Sequence, residues 1–351
     1  MQPPTVAPSP AVAPPSTVAG AAARRQAADW QRELADAIRD PEELCRLLGL
    51  DPALAAAARS AAGDFPLLVP RGFAARMRPG DPLDPLLLQV LPVGEERIPA
   101  PGFSADPLDE AATLAAPGLL HKYPGRALLL LAGGCAVNCR YCFRRDFPYA
   151  ESGVSQAGLA AALEALAADD TITEVILSGG DPLLVDDGRL ADLANRLEAI
   201  PHLRRLRIHS RLPVVLPSRV TAELAAILAG TRLAGIVVIH ANHARELDAA
   251  VERAVRRLTA APALVLNQAV LLAGVNDTLA AQRALAERLV EMGVAPYYLH
   301  QLDRVAGAAH FEVADERAAA LHRELRESLP GYAVPRLVRA RPGAPAKEWI
   351  L

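Results

Sequence analysis

The chain has 351 residues, 52% of them hydrophobic and 22% charged, with a formal net charge of −3 at pH 7. That size can bury one large core, here expected to be a single α/β barrel plus a smaller appendage. The charge offers no basic field for nucleic acid, and no apolar run reaches the roughly 18 residues that cross a bilayer, so a cytoplasmic enzyme is expected.

Residues 1–22 are mostly Ala, Pro, Ser, Thr and Val, with no charge before Arg24. Such a composition builds no packed core and is read as a disordered tail; a secretory signal would need a charged start and an unbroken apolar stretch. Trp30–Ile38 reads as an amphipathic helix. Asp40-Pro41-Glu42-Glu43 looks like the start of a second, with Asp40 as N-cap and Pro41 in the first turn, ending near Gly49. Pro66 to Pro101 is expected to wrap with few regular elements, so residues 23–110 form an N-terminal helical and wrapping region.

From Arg126, short apolar runs alternate with longer amphipathic stretches, which predicts parallel βα units. Strands are expected at Ala127–Ala132, Glu174–Ser178, Leu206–His209, Ile236–His240, Leu264–Val270 and Pro296–Gln301. Helices are expected near Gln156–Ala168, Gly188–Glu198, Ala222–Leu228, Ala244–Ala260, Leu279–Met292 and Ala314–Ser328. The strands look almost uniformly apolar, which implies burial on both faces. Six units instead of eight imply a laterally open (β/α)6 barrel over residues 111–330, with 331–351 as a C-terminal segment.

Cys135, Cys139 and Cys142 follow the first of these strands in a C-x3-C-x2-C run. Three thiolates ligate three irons of a [4Fe-4S] cluster and leave the fourth open. Zinc would want four ligands, and the one other cysteine, Cys45, has no nearby partner; it is read as a small buried hydrophobe. Four cysteines in such a chain argue against a disulfide framework, and an electron-carrying ferredoxin would supply a fourth ligand. The remaining strands also end in polar groups, where βα barrels place their active sites. Strand two runs into Ser178-Gly179-Gly180-Asp181, whose glycines allow close backbone approach and whose carbonyls and carboxylate can receive an ammonium.

The cysteine run, with Tyr141 before the third cysteine, resembles that of radical S-adenosylmethionine enzymes. In these the open iron binds the cofactor's amino and carboxylate groups and its sulfonium is reduced to release a 5′-deoxyadenosyl radical. His121-Lys122-Tyr123-Pro124-Gly125-Arg126, Ser178 to Leu184, Arg211 to Pro217, Asn267 to Asp277 and Pro296 to Gln301 look like lysine 2,3-aminomutase motifs, in order over residues 120–347. The likeness is nearest to the short branch of that family, which modifies elongation factor P.

The resemblance implies S-adenosylmethionine at Ser178, Gly179, Gly180 and Asp181, with His240 and Gln268 at its methionyl or ribose groups. It also implies pyridoxal 5′-phosphate on Lys347, its phosphate held by Lys122, Tyr123 and Arg126. Arg144 would pair with the carboxylate of L-lysine, and Asp303 would take the distal ammonium. A second carboxylate of free-lysine aminomutases falls at Ala340, between Arg339 and Arg341, which makes an acidic partner or another amine geometry conceivable. Implied partners are elongation factor P, its lysyl ligase and an electron donor such as flavodoxin or ferredoxin, with (R)-β-lysine as product. Two other readings stand beside this one: an aminomutase of another amino acid, and a noncatalytic iron–sulfur protein that binds elongation factor P or its ligase.

Overall fold

A computed structural model describes residues 29–350, so the tail expected over 1–22 lies outside the described residues. Residues 29–35 form α1, which stops short of Ile38 because Ile38 instead exchanges backbone hydrogen bonds with Val69. Asp40 caps α2 (Pro41–Leu47) as expected, accepting from Glu42 N at 3.1 Å. The chain turns at Gly49 with φ +63°. Two short helices follow, α3 (Pro52–Ala61), which the sequence reading passed over, and α4 (Arg71–Ala74). The alanine-rich α3 buries only small side chains, Ala55, Ala58 and Ala61, and its clearest signal is Asp51 capping Ala53 N at 2.8 Å. Cys45 is buried in the main core, as read.

A ten-stranded sheet runs in chain order. β1 (Leu114–Ala116) and β2 (Leu119–Tyr123) form an antiparallel edge that leads into β3 (Arg126–Ala132). From β3 every neighbour is parallel: β4 (Glu174–Gly179), β5 (Arg205–Ser210), β6 (Ala234–His240), β7 (Ala263–Val270), β8 (Ala295–His300) and β9 (Arg336–Arg339). The six predicted strands are all present. The segment 331–351 adds to them, because β9 is a seventh parallel strand and β10 (Glu348–Trp349) folds back on it antiparallel. Among the described residues no ladder joins β1 to β10, which leaves the barrel open at that side.

The crossovers are α5 (Gln156–Ala168), α6 (Asp187–Glu198), the short α7 (Leu212–Val215) with α8 (Ala222–Gly230), α9 (Ala249–Ala260), α10 (Leu279–Glu291) and α11 (Asp315–Ser328). Side-chain N-caps at Ser155, Asp186, Thr221, Asp248 and Thr278 start five of them, each accepting a main-chain N–H of the first turn. The Asp248 cap is why α9 begins five residues later than expected; residues 244–246 form a separate tight turn.

The outward row Leu177, Ile208, Val237 and Val265 is side by side in register and buried under the helices. The inward positions of β5 differ from expectation. Arg205, Arg207 and His209 are only half-buried, so β5 lines the interior with polar groups and not with a second apolar face. No helix among the described residues is long and apolar enough to cross a membrane.

Candidate active site

The cysteine loop leaves the carboxyl end of β3 and is held from behind by the wrapping segment. Arg140, fully buried, donates from Nε and Nη2 to both oxygens of Glu96 at 2.8 and 2.5 Å, and Arg145 adds a third bond to Glu96 at 3.0 Å. Main-chain bonds from Asn138 N to Leu68 O (3.1 Å) and Arg140 N to Gln89 O (2.9 Å) complete the anchorage. A region that reads as irregular is therefore the back wall of the cysteine loop.

Burial, with repulsion from the neighbouring thiols, pushes the Cys142 thiol up to about 11 and raises Cys135 as well. Three half-buried thiolates side by side need a compensating charge, and iron supplies it. Among the described residues no three such side chains are arranged around a single ion. In a cluster each thiolate meets a different iron. The donor set thus fits a [4Fe-4S] cluster with Cys135, Cys139 and Cys142 as its ligands.

The Ser178–Asp181 segment locks this loop in place. Gly180 N donates to Ala132 O at 2.7 Å and Asp181 N to Gly134 O at 2.8 Å. A Cβ on Gly180 would lie 2.0 Å from Gly134 O, and one on Gly179, at φ +124°, would lie 2.4 Å from Ala132 O. The glycines are required by backbone meeting backbone.

Asp181 does something other than expected. Its Oδ1 accepts from Leu183 N (3.0 Å) and Ser210 Oγ (2.7 Å), and its Oδ2 from Arg211 N (2.8 Å) and Leu212 N (3.1 Å). A carboxylate has about four lone-pair sites. All are filled, so Asp181 pins the ends of β4 and β5 and has nothing left for a cofactor ammonium. Main-chain carbonyls of the segment remain for that task.

Arg144 reaches the site with its guanidinium already engaged. Nε and Nη2 grip Glu110 at 2.6 and 3.0 Å, while Nη1 donates to Ser178 Oγ at 2.9 Å and Gly179 O at 3.3 Å. A bidentate hold on a substrate carboxylate would have to displace Glu110. Further round, Gln268 lies beside His240 in register, their Nε2 atoms 2.9 Å apart. Burial and the charges of Arg211 and Arg144 push His240 down to about 3, so its neutral ring accepts from the Gln268 amide.

Lys347 arrives between β9 and β10. It is one of only two lysines in the chain, the other being Lys122. Its ammonium lies 5.8 Å from the centre of the Tyr298 ring. Burial pushes it down to about 8, against the pull of Asp303. Asp303 is itself pushed up to about 6 by burial, opposed by Lys347 and Lys122. Lys122 and Arg126 flank the Tyr123 ring at 5.7 and 4.6 Å from its centre.

Three buried nitrogens within electrostatic reach of Lys347 have no partner: Arg207 Nε, His209 Nε2 and His300 Nε2. Such orphans are rare unless something binds them. An amine that is partly neutral near pH 8, nearby cations and unpartnered donors together suit a phosphate-bearing aldehyde, so these residues fit pyridoxal phosphate. Ala340 is buried, and of its neighbours Arg339 grips Asp315 and Arg341 pairs with Glu348 at the surface.

Glu110, Gln89, Glu246 and His300 were missed by sequence reasoning. Glu110 and Gln89 sit in irregular chain, with no periodicity to mark them. His300 was visible at the end of a strand but was not singled out.

The parallel barrel and the thiol loop at the end of its first parallel strand define a radical S-adenosylmethionine protein, a class that works with a [4Fe-4S] cluster and S-adenosylmethionine. Residues 129–278 match the family model of the Radical SAM superfamily. The chain is 51% identical to the L-lysine 2,3-aminomutase of Escherichia coli (strain K12), over 91% of this chain and 93% of that one. It is 46% identical to the L-lysine 2,3-aminomutase of Haemophilus influenzae, over 92% and 96%, and 42% identical to that of Buchnera aphidicola, over 92% and 95%. The chain belongs to the lysine 2,3-aminomutase family, and it is an isomerase.

Proposed function

We propose that the chain is a pyridoxal phosphate-dependent L-lysine 2,3-aminomutase that makes (R)-β-lysine for attachment to elongation factor P by a separate ligase. The observation that carries this reading is the meeting of Lys347, from the far end of the chain, with Asp303 and the Lys122–Arg126 cations inside the barrel that bears the cysteine loop. When bound, the cluster and S-adenosylmethionine supply a hydrogen-abstracting radical, and pyridoxal phosphate supplies an aldehyde that carries the migrating nitrogen.

The chain's own residues do the rest. Lys347 offers an amine that is partly neutral near pH 8. The Asp303 carboxylate has no hydrogen-bonded partner among the described residues, and its role is to receive a distal ammonium. Gly179 and Gly180 fix the cysteine loop against β4, and Arg144 is the cation available to a carboxylate once Glu110 yields. The electron comes from a flavodoxin- or ferredoxin-like donor, and the cytoplasm is the compartment that suits such chemistry.

An aminomutase of another amino acid is the second reading, favoured by the single carboxylate that Ala340 leaves at the amine end. The test is anaerobic incubation with L-lysine, pyridoxal phosphate, S-adenosylmethionine and dithionite, followed by chiral analysis. (R)-β-lysine is expected. Deoxyadenosine formed only with a different amino acid would move the assignment to that substrate, and none with any amino acid would favour a noncatalytic iron–sulfur protein.

A further inference from the structure

Beneath the cysteine loop lies a buried polar network centred on Arg211, at the carboxyl end of β5. Its Nη1 donates to Cys139 Sγ at 2.8 Å and also to the Tyr141 hydroxyl. Its Nη2 donates to Gln89 Oε1 at 2.8 Å and Glu246 Oε2 at 3.3 Å. Asn242 Nδ2 ties the same partners together, reaching Gln89 Oε1 at 2.9 Å and Tyr141 Oη at 2.6 Å. Gln89 Nε2 returns to Glu246 Oε1 at 3.1 Å. Arg211, Gln89, Glu246 and Asn242 are all buried, and the main-chain N–H of Arg211 is held by Asp181. The guanidinium is thus fixed from the wrapping segment, the loop after β6 and the cysteine loop itself, with Nε alone left over, while the residue's main chain is held from the loop after β4.

We propose that Arg211 is a positioning residue that sets the reduction potential of the cluster, through the hydrogen bond it donates to the thiolate of Cys139. Reduction adds one electron to the cluster and makes it more negative. An N–H aimed at a ligand sulfur withdraws density from that sulfur and stabilises the added charge, and hydrogen bonds to sulfur are among the terms that set such potentials. Glu246 balances most of the guanidinium's net charge, so the directed N–H···S contact is what remains to act. Because the network is rigid, its contribution needs no reorganisation when the electron arrives.

The inference rests on assigning the cluster to Cys135, Cys139 and Cys142. The experiment is potentiometric titration with dithionite as reductant, followed by electron paramagnetic resonance, on the reconstituted full chain and two variants. Arg211→Gln/Glu246→Gln removes the donor without stranding a buried carboxylate, and Arg211→Lys keeps the charge but loses the planar fork. In the double variant the equilibrium constant for one-electron reduction should fall about tenfold, a shift of about 59 mV to more negative potential. The lysine variant should fall between the double variant and the wild type.

A second measurement needs no variant. In wild-type protein labelled with ¹⁵N-arginine, the reduced cluster should show a nitrogen hyperfine coupling. A loaded cluster whose equilibrium constant stays within about twofold of wild type, or the absence of that coupling, overturns the proposal. Failure of the cluster assignment would look different, since the wild-type chain itself would then take up no iron.

Discussion

The two sides of the barrel mouth are built differently. Around the cysteine loop, buried charges are matched within the chain: Arg140 and Arg145 with Glu96, Arg144 with Glu110, Arg211 with Glu246 (its Nε alone being left over), and Asp181 saturated by four donors. Around Lys347, among the described residues, Arg207 Nε, His209 Nε2 and His300 Nε2 have no partner, although Arg207 Nη2 is held by Glu174. A resident cluster needs a site that keeps its shape whether or not the rest of the pocket is filled. A cofactor held through a reversible bond, and a substrate replaced every turnover, need groups left free to bind. Each buried unpaired donor costs about 1–3 kcal/mol in the empty protein, which is recovered when a ligand accepts from it.

The sharpest way to break this comparison is to unpair the cluster side. Glu96→Ala would strand Arg140 and Arg145 and should cost about 3–5 kcal/mol of stability, with loss of iron loading, as read by chemical denaturation and iron content. Gly180→Ala should follow at about 3 kcal/mol, because its Cβ meets main chain that has no room to move. If either variant kept wild-type iron content and stability, the loop would not be pre-formed.

On the other side the expected effects are smaller and change sign with ligand. His300→Phe removes one unpartnered donor, so the empty protein should lose no stability. Pyridoxal phosphate should bind about fivefold more weakly, near 1 kcal/mol, in a spectrophotometric titration. Equal affinity would mean that His300 does not face the cofactor. The mildest effect is on pH. The neutral amine is the nucleophile, and Lys347 is held near 8, so the rate of pyridoxal capture should rise with pH and level off above about 8. A rate still climbing towards pH 10 would mark an ordinary exposed lysine.

How far the sequence exposes each side follows the same division. The six strands were legible because each is a short apolar run between capped helices, and the cysteine spacing stated its own chemistry. β9 was not, since Arg336-Leu337-Val338-Arg339 is short and flanked by charge. The inner row of Arg205, Arg207 and His209 escaped notice because β5 was read as an apolar run, whereas its polar residues alternate with Leu206 and Ile208. The support of the cysteine loop was hidden for another reason. Glu96 and Gln89 act across 44 and 122 residues, on Arg140 and Arg211, and no local pattern encodes such a partnership. Asp181 was assigned by resemblance to the ligand. Only the geometry reveals that its lone pairs are already taken.

Lys347 is, on this reading, the anchor of pyridoxal phosphate. With two lysines in the chain, one measurement decides it: borohydride reduction of the pyridoxal-loaded protein, followed by mass spectrometry of its peptides. One phosphopyridoxyl group is expected, on Lys347, and none in Lys347→Ala. A label on Lys122, or wild-type labelling in Lys347→Ala, would contradict it.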